Sequence, residues 1–136
     1  MIYIGSDHGG FELKEKIRKL YPDFIDCGTH SASSCDYPEI AKSVCSKMGK
    51  DSFGILICGT GIGMSIQANR YPNVRAALAT TPDIARLARD HNDANILCLG
   101  GRFIDEKLAL EIVKTFLETP FSNEDRHNRR IEMIGL

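Results

Sequence analysis

Apolar residues recur along this chain with two different periods, and the change from one period to the other marks its elements. Short runs of apolar and β-branched residues predict five strands, at residues 2–5, 24–26, 54–58, 74–79 and 95–99. Between the first two runs, Leu13, Ile17 and Leu20 recur at helical spacing with charged residues turned outward. Strands that alternate with amphipathic helices indicate a parallel sheet joined by crossover helices.

Further helices are indicated by a second apolar stripe and by start signals. The stripe comprises Tyr37, Ile40, Ala41, Val44 and Met48. Asp36 with Glu39 three residues later predicts a capping box. Thr81 before Pro82 predicts an N-cap followed by proline at the first helical position. Two more segments are expected, a helix over residues 105–117 and a last helix or arm over residues 124–134.

Length and composition indicate one globular domain. The chain has 136 residues, 43% of them hydrophobic and 26% charged, which is an ordinary balance for a single core. We expect a single Rossmann-like α/β domain over residues 1–136, with a five-stranded parallel sheet, helices on both faces and a C-terminal helix. The formal net charge of −1 gives no reason to expect nucleic acid or an anionic membrane as a partner.

Five cysteines, at positions 27, 35, 45, 58 and 98, are odd in number and lack CxxC spacing. The first residues run straight into a strand rather than a signal peptide, and no apolar run approaches the ~18 residues that span a bilayer. We therefore expect reduced thiols in a cytoplasmic protein. No cluster of His, Asp or Glu has metal-ligand spacing, so neither a metal nor another cofactor is expected.

The most informative stretch begins where the third predicted strand ends. A buried apolar run stops at Cys58 and is followed by Thr60 and by three glycines, Gly59, Gly61 and Gly63. Glycines adopt backbone conformations closed to other residues, so several N–H groups of such a turn converge on one anionic oxygen. The pattern favours a nucleophile or base at the mouth of an anion-binding turn.

The position of this turn in the fold predicts which other segments it meets. In an open parallel α/β sheet, ligands bind beyond the carboxyl ends of the strands, near a switch in strand order. The segments that follow strands one, three, four and five should therefore line one crevice. They are residues 6–10, 58–61, 80–81 and 100–102.

Several separate signatures, in order along essentially the whole chain, carry a resemblance to a known family. They are Gly5-Ser6-Asp7-His8-Gly9-Gly10-Phe11, Asp26-Cys27-Gly28-Thr29, Asp36-Tyr37-Pro38, Ile57-Cys58-Gly59-Thr60-Gly61-Ile62-Gly63 with Ala68-Asn69, His91-Asn92-Asp93-Ala94-Asn95, Gly101-Arg102 and Arg126-His127. Together they resemble the ribose-5-phosphate isomerase type B family, which also includes galactose-6-phosphate and allose-6-phosphate isomerases. The resemblance implies a homodimer, or a dimer of dimers, with active sites between subunits. It also implies an enzyme of the pentose phosphate pathway that interconverts ribose 5-phosphate and ribulose 5-phosphate.

The resemblance further implies a role for individual residues. Cys58 matches the base that moves a proton between C2 and C1 through an enediolate, and Thr60 with the loop N–H groups would hold the enediolate oxygens. His91 matches the residue that opens the furanose ring, with Asp7 near the same oxygens. The substrate-binding residues would be His8, Tyr37, Gly59, Gly61, Ile62, Gly63, Asn92, Arg102, Arg126 and Arg130. Of these, His8, Arg126 and Arg130 match phosphate-binding positions, and Arg102 is expected from the partner subunit.

Each candidate also has a simpler structural interpretation. Taken alone, Cys58 is a small buried hydrophobe at the end of a strand, like the other four cysteines. Asp7 could cap the first helix, and Tyr37 fits the core stripe of its own helix. Arg129 is interpreted as part of a solvated helix face, and His127 as a neighbour of the phosphate.

Other function classes fit less well. A dinucleotide fingerprint follows the first strand as G-x-G-x-x-G, whereas this loop follows the third as G-x-G-x-G, without the Lys-Ser/Thr pair of a P-loop. A cysteine-dependent phosphatase would have an arginine where Met64 stands. Two alternatives stay open: an isomerase of allose 6-phosphate or galactose 6-phosphate, and a non-catalytic phosphate- or nucleotide-binding α/β module.

Overall fold

The parallel sheet predicted from the alternating pattern is present in the computed structural model, which describes residues 1–135. Its strands are β1 (Ile2–Ser6), β2 (Ile25–Asp26), β3 (Phe53–Cys58), β4 (Ala76–Leu78) and β5 (Ile96–Gly100). The helices are α1 (Phe11–Leu20), α2 (Tyr37–Cys45), α3 (Ile62–Ala68), α4 (Pro82–Asn92), α5 (Glu106–Glu118) and α6 (Asp125–Met133). All paired strands run parallel, in the order β2-β1-β3-β5-β4. The predicted fold class and the C-terminal helix are confirmed.

Both predicted helix starts are confirmed, because Asp36 and Thr81 are the N-cap residues of α2 and α4, but only one of the two predicted capping hydrogen bonds forms. The Thr81 side chain accepts a hydrogen bond from the Ile84 N–H at 3.2 Å, with Pro82 in the first turn of α4. The Asp36 side chain makes no cap hydrogen bond, so the predicted capping box is absent. The physical reason is that the Glu39 N–H, which the box would use, donates to the backbone carbonyl of Asp36 at 3.3 Å.

The sheet separates two cores because successive side chains of a strand point to opposite faces. In β3, Ile55 and Ile57 pack on the face covered by α1, α4 and α5, whereas Leu56 and Cys58 pack on the face covered by α2 and α3. All four side chains are buried, and full burial of one aliphatic side chain contributes about 1.5–3 kcal/mol. Cys58 is the last buried position before the chain leaves the sheet.

The strand order creates a crevice where β1 and β3 meet. From β1 the chain crosses to β2 on one side of this point, and from β3 it crosses to β4 on the other side. The loops that follow β1 and β3 therefore diverge. The Asp7 N–H donates to the Ile57 carbonyl at 3.1 Å, and the Gly101 N–H donates to the Cys58 carbonyl at 2.8 Å. These bonds tie the carboxyl ends of β1, β3 and β5 together.

Helix α4 runs from the carboxyl edge of the sheet back to the amino edge. It begins at Pro82, after β4, and ends at Asn92, whose carbonyl accepts a hydrogen bond from Arg75 Nε at 3.0 Å, just ahead of β4. Its 11 residues rise about 15 Å between these points. Side chains at its end therefore lie on the opposite edge of the sheet from Cys58.

Candidate active site

A pocket of about 440 Å³ lies at the joined carboxyl ends of β1, β3 and β5. It is lined by Asp7, Tyr37, Cys58, Gly59, Thr60, Ile62, Gly63, Ile66 and Arg102. All of these except Ile66 are residues that the sequence singled out. A cleft of this volume accommodates a small-molecule ligand.

Cys58 lines this pocket with 5% of its surface exposed. Its Sγ accepts a hydrogen bond from the Gly61 N–H at 3.1 Å. Gly61 has a φ of 79°, and a Cβ at this position would lie 2.5 Å from Leu78 Cδ1, so the turn requires glycine here. An N–H aimed at the sulfur orients it and stabilises negative charge on it.

The rest of the glycine loop presents Thr60 and Tyr37 to the pocket. Thr60 Oγ1 accepts a hydrogen bond from the Ile62 N–H at 3.1 Å, which leaves the hydroxyl proton available for a ligand oxygen. The Tyr37 ring lies directly against Gly63, where a Cβ would come within 2.6 Å of Tyr37 Cζ. Because Tyr37 is 37% exposed and lines the pocket, its interpretation as a core residue is wrong.

The turn after β1 contributes Asp7 and His8. Asp7 Oδ1 accepts hydrogen bonds from the Gly9 N–H at 2.8 Å and the Gly10 N–H at 3.2 Å. Asp7 thus closes the turn ahead of α1, and the N-cap residue of that helix is Gly10. His8 does not itself line the pocket; its Nδ1 accepts a hydrogen bond from the Cys35 N–H at 3.2 Å. Neutral His8 therefore carries its proton on Nε2, the nitrogen left to donate to an anion.

Arg102 belongs to this pocket within its own chain. Its N–H donates to the Gly59 carbonyl at 3.0 Å, and a Cβ at Gly59 would lie 3.1 Å from Arg102 Nη1. The expectation that Arg102 comes from a partner subunit is wrong, because the loop after β5 folds back over the end of β3. Residues 80–81, in contrast, do not line the pocket, since β4 is the outer strand of the sheet.

A second cluster of predicted site residues lies where α6 packs on the end of α4. Its members are His91, Asn92, Arg126, His127 and Arg130. The His91 ring stacks on the His127 ring, with centroids 4.3 Å apart and planes inclined by 17°. Arg126 is exposed and forms an ion pair with Glu124. We use the name second cluster for these five residues.

The pocket and the second cluster do not meet within one chain. Cys58 ends β3 at the carboxyl edge of the sheet, whereas His91 lies in the last turn of α4 at the amino edge, and α4 rises about 15 Å between the two edges. The structure therefore brings together Asp7, Tyr37, Cys58, Thr60 and Arg102 and leaves the second cluster apart from them. A single chain does not assemble all the residues that the sequence assigned to one site.

Two features of the site were missed at the sequence level. Ile66 lines the pocket and is 59% exposed, but one apolar residue on a short helix carries no functional signal. The Cys35 backbone N–H orients the His8 ring from 27 residues away, and no local pattern marks a contact of that kind.

For three of the other four cysteines, burial disfavours the thiolate form. Burial raises the pKa of Cys45 to about 11, and it also raises the pKa values of Cys27 and Cys98. All five cysteines of the chain are unpaired. Thiols with raised pKa values are poor nucleophiles and bases at neutral pH, which supports the structural interpretation of these three.

Other parts of the molecule offer weaker candidate sites. A cavity of about 430 Å³ at the amino edge is lined in part by Arg75 and Arg89, but both guanidinium groups are bound by the carboxylate of Asp93. Within residues 1–135, no group of three or more His, Cys, Asp or Glu side chains is arranged to hold a metal ion. In the same described part, no helix combines the length and apolar character needed to cross a membrane.

Comparison with known proteins identifies relatives over nearly the full length. Residues 2–134 match a family model described as Ribose/Galactose Isomerase. The chain is 42% identical over 141 residues to ribose-5-phosphate isomerase B of Mycolicibacterium paratuberculosis, covering 98% of this chain and 89% of that protein. A ribose 5-phosphate isomerase structure from Thermotoga maritima is 53% identical, with a TM-score of 0.87 and coverage of 98% and 95%. The Mycoplasma genitalium ribose-5-phosphate isomerase B structure with bound ribulose 5-phosphate is 39% identical, with a TM-score of 0.94 and coverage of 98% and 92%.

Proposed function

Because the chain belongs to the ribose/galactose isomerase family, we propose that it interconverts ribose 5-phosphate and ribulose 5-phosphate. The observation that carries the proposal is the Cys58 thiol, held by a glycine-loop N–H in a pocket of suitable size. The relative that binds ribulose 5-phosphate supports the choice of a pentose. We place the activity in the pentose phosphate pathway of the cytoplasm, a reducing compartment that suits the unpaired thiols.

In this proposal Cys58 is the base. As a thiolate, its Sγ takes the C2 proton of the open-chain aldose and returns it to C1 by way of an enediolate, while the hydroxyl proton on O2 passes to O1. The Thr60 hydroxyl and the loop N–H groups hold the developing charge on O1 and O2. One donor aimed at such an oxyanion contributes roughly 3–4 kcal/mol where this has been measured. The oxidation and reduction occur within the sugar, so the reaction consumes no cofactor.

The phosphate is proposed to bind between cationic groups. Arg102 extends over the pocket, and His8 Nε2 is the free donor of an oriented ring. Arg126 and Arg130 complete the phosphate site, because a planar guanidinium grips two phosphate oxygens at once. These two arginines lie in the second cluster, so they reach the phosphate only from another copy of the chain.

We propose a homodimer in which each pocket is completed by the second cluster of the other copy. The first argument is that Cys58 lies at the carboxyl edge of the sheet and His91 at the amino edge, with the rise of α4, about 15 Å, between the two edges. The second is the rim of the pocket, where Ile62 and Ile66 are 52% and 59% exposed, as apolar residues are where a partner covers them. His91 of the other copy then reaches the furanose oxygen near Asp7 and opens the ring, and Asn92 lies beside it.

Subunit mixing tests this arrangement. Cys58→Ser and His91→Asn are each expected to retain only a small residual turnover of ribose 5-phosphate. After random exchange between the two variants, about half of the dimers are heterodimers, and each has one intact and one doubly defective site. About a quarter of the wild-type activity should then return. No return of activity, with heterodimers verified by native mass spectrometry, would contradict a site shared between subunits.

The substrate is tested with purified, EDTA-treated protein. Steady-state interconversion of ribose 5-phosphate and ribulose 5-phosphate is measured beside allose 6-phosphate and galactose 6-phosphate. We expect the pentose phosphates to react clearly faster. Faster turnover of a hexose phosphate would keep the isomerase chemistry but overturn the substrate, and no turnover of any of them would leave a phosphate-binding module.

A further inference from the structure

His127 is a buried histidine to which the proposed chemistry assigns no step. It is 7% exposed, and its ring stacks on His91 with centroids 4.3 Å apart and planes inclined by 17°. Its backbone N–H donates to the Glu124 carbonyl at 3.0 Å, so the first turn of α6 fixes the backbone position from which the His127 side chain extends. The His127 ring is therefore a buried surface beneath the half-exposed His91 ring.

The free nitrogen of His127 indicates the charge state of that surface. Within residues 1–135, its Nε2 is one of two buried side-chain polar atoms without a hydrogen-bond partner. The nearest carboxylate oxygen, on Glu124, lies 3.8 Å away, beyond hydrogen-bond distance. An imidazolium would bury an unpaired N–H here, so the neutral ring is favoured. Burial, together with the charges of Arg126 and His91, lowers the pKa of His127, which also favours the neutral ring.

His91 has few other contacts that hold its ring. It is half-exposed, and its Nε2 lies 3.5 Å from Asp90 Oδ2, too far for a short hydrogen bond. The aromatic surface in contact with the His91 ring is the face of the His127 ring.

We propose that His127 is a positioning residue that holds the His91 ring, by stacking, in the orientation needed for opening the furanose ring. The inference rests on the proposed function of His91. Proton transfer depends steeply on the placement of the donor, and small misplacements cost up to about 100-fold in rate. Loss of the stacking surface should therefore slow ring opening by about 10- to 100-fold and leave the Cys58 step intact.

The experiment compares His127→Ala with the matched control His127→Phe, which keeps a flat ring and removes both nitrogens. Two rates are measured for each variant and for the wild type. The first is conversion of ribose 5-phosphate, which includes ring opening. The second is exchange of the C1 proton of ribulose 5-phosphate in D₂O, followed by NMR, which needs the base but no ring opening because the ketose is already linear.

We expect His127→Ala to lose conversion by about 10- to 100-fold while keeping C1 exchange, and His127→Phe to keep most of both rates. In a His91→Asn background, His127→Ala should have no further effect on conversion, because the two residues act through one step. Unchanged conversion in His127→Ala would overturn the proposal. Equal loss in His127→Phe would also overturn it, since the nitrogens rather than the stacking would then matter.

Failure of the proposed function gives a different result. If the wild-type protein shows neither conversion nor C1 exchange, the isomerase assignment fails and the stacking is not at issue. If His127→Ala loses conversion and exchange together, His127 acts on substrate binding or on the position of α6 rather than on His91. Far-UV circular dichroism of each variant checks that α6 remains folded.

Discussion

Replacing Gly61 by alanine perturbs the glycine loop at its most constrained position. The φ of 79° is left-handed, a conformation that costs an L-residue about 1–2 kcal/mol. The added Cβ would lie 2.5 Å from Leu78 Cδ1 and 2.9 Å from the Leu99 backbone carbon. Leu78 can turn aside, but the Leu99 backbone is held in β5, and overpacking of this kind costs about 1–3 kcal/mol. We expect the free energy of unfolding to fall by about 2–5 kcal/mol.

Thermal unfolding measures this effect. The protein concentration is kept the same for all variants, because association of subunits raises the apparent stability. For a chain of 136 residues, the expected loss lowers Tm by roughly 6–20 °C. Gly49→Ala is the matched control: the nearest atom to its Cβ would be Ser52 Oγ at 3.6 Å, so its effect should stay within about 0.5 kcal/mol. Turnover should also fall in Gly61→Ala, because the N–H moves away from Cys58 Sγ. A Gly61→Ala protein with wild-type stability and turnover would refute the loop geometry.

Three further predictions concern stability and thiol chemistry. Lys14→Met should lower the free energy of unfolding by about 3 kcal/mol in urea, because the fully buried Lys14 Nζ bonds Asp26 Oδ1 at 2.7 Å; an unchanged midpoint would contradict this. The lowered pKa of His127 means that the fold favours its neutral form. Its stabilising contribution is therefore present above about pH 6.5 and lost as pH falls through the folded pKa, and this pH dependence should disappear in His127→Phe. Iodoacetamide should leave Cys45 and Cys98 unmodified in the native protein at pH 7.5, as mass spectrometry of digests would report; rapid labelling of either would contradict their burial.

Much of the fold follows from local patterns, and the exceptions have local causes. The central strands are continuous apolar runs buried on both faces, so their positions could be predicted. The outer strand β4 is shorter than predicted, Ala76–Leu78 instead of 74–79, because it pairs on one side only. The capping box failed because a backbone carbonyl competed for the Glu39 N–H, and that competition is invisible in a spacing rule.

The site was predictable in its residues but not in its assembly. Asp7, Cys58 and Arg102 could be placed together because each follows a strand at the same edge of the sheet. Motif matching put His91 in the same site. However, α4 is a crossover helix that returns to the amino edge of the sheet, so its direction separates His91 from Cys58. Residue types indicate the chemistry, whereas only the path of the chain tells which groups meet within one subunit.

The role of Cys58 is tested most directly by the rate of ribose 5-phosphate conversion in the Cys58→Ser variant. Wild-type protein and Cys27→Ser are measured in parallel, the latter as the same chemical change outside the pocket. A hydroxyl is too weak an acid to replace the thiol, so Cys58→Ser should lose about 10²–10⁴-fold in turnover while still binding ribulose 5-phosphate by calorimetry. Cys27→Ser should remain active. Turnover by Cys58→Ser at the wild-type rate would contradict the account.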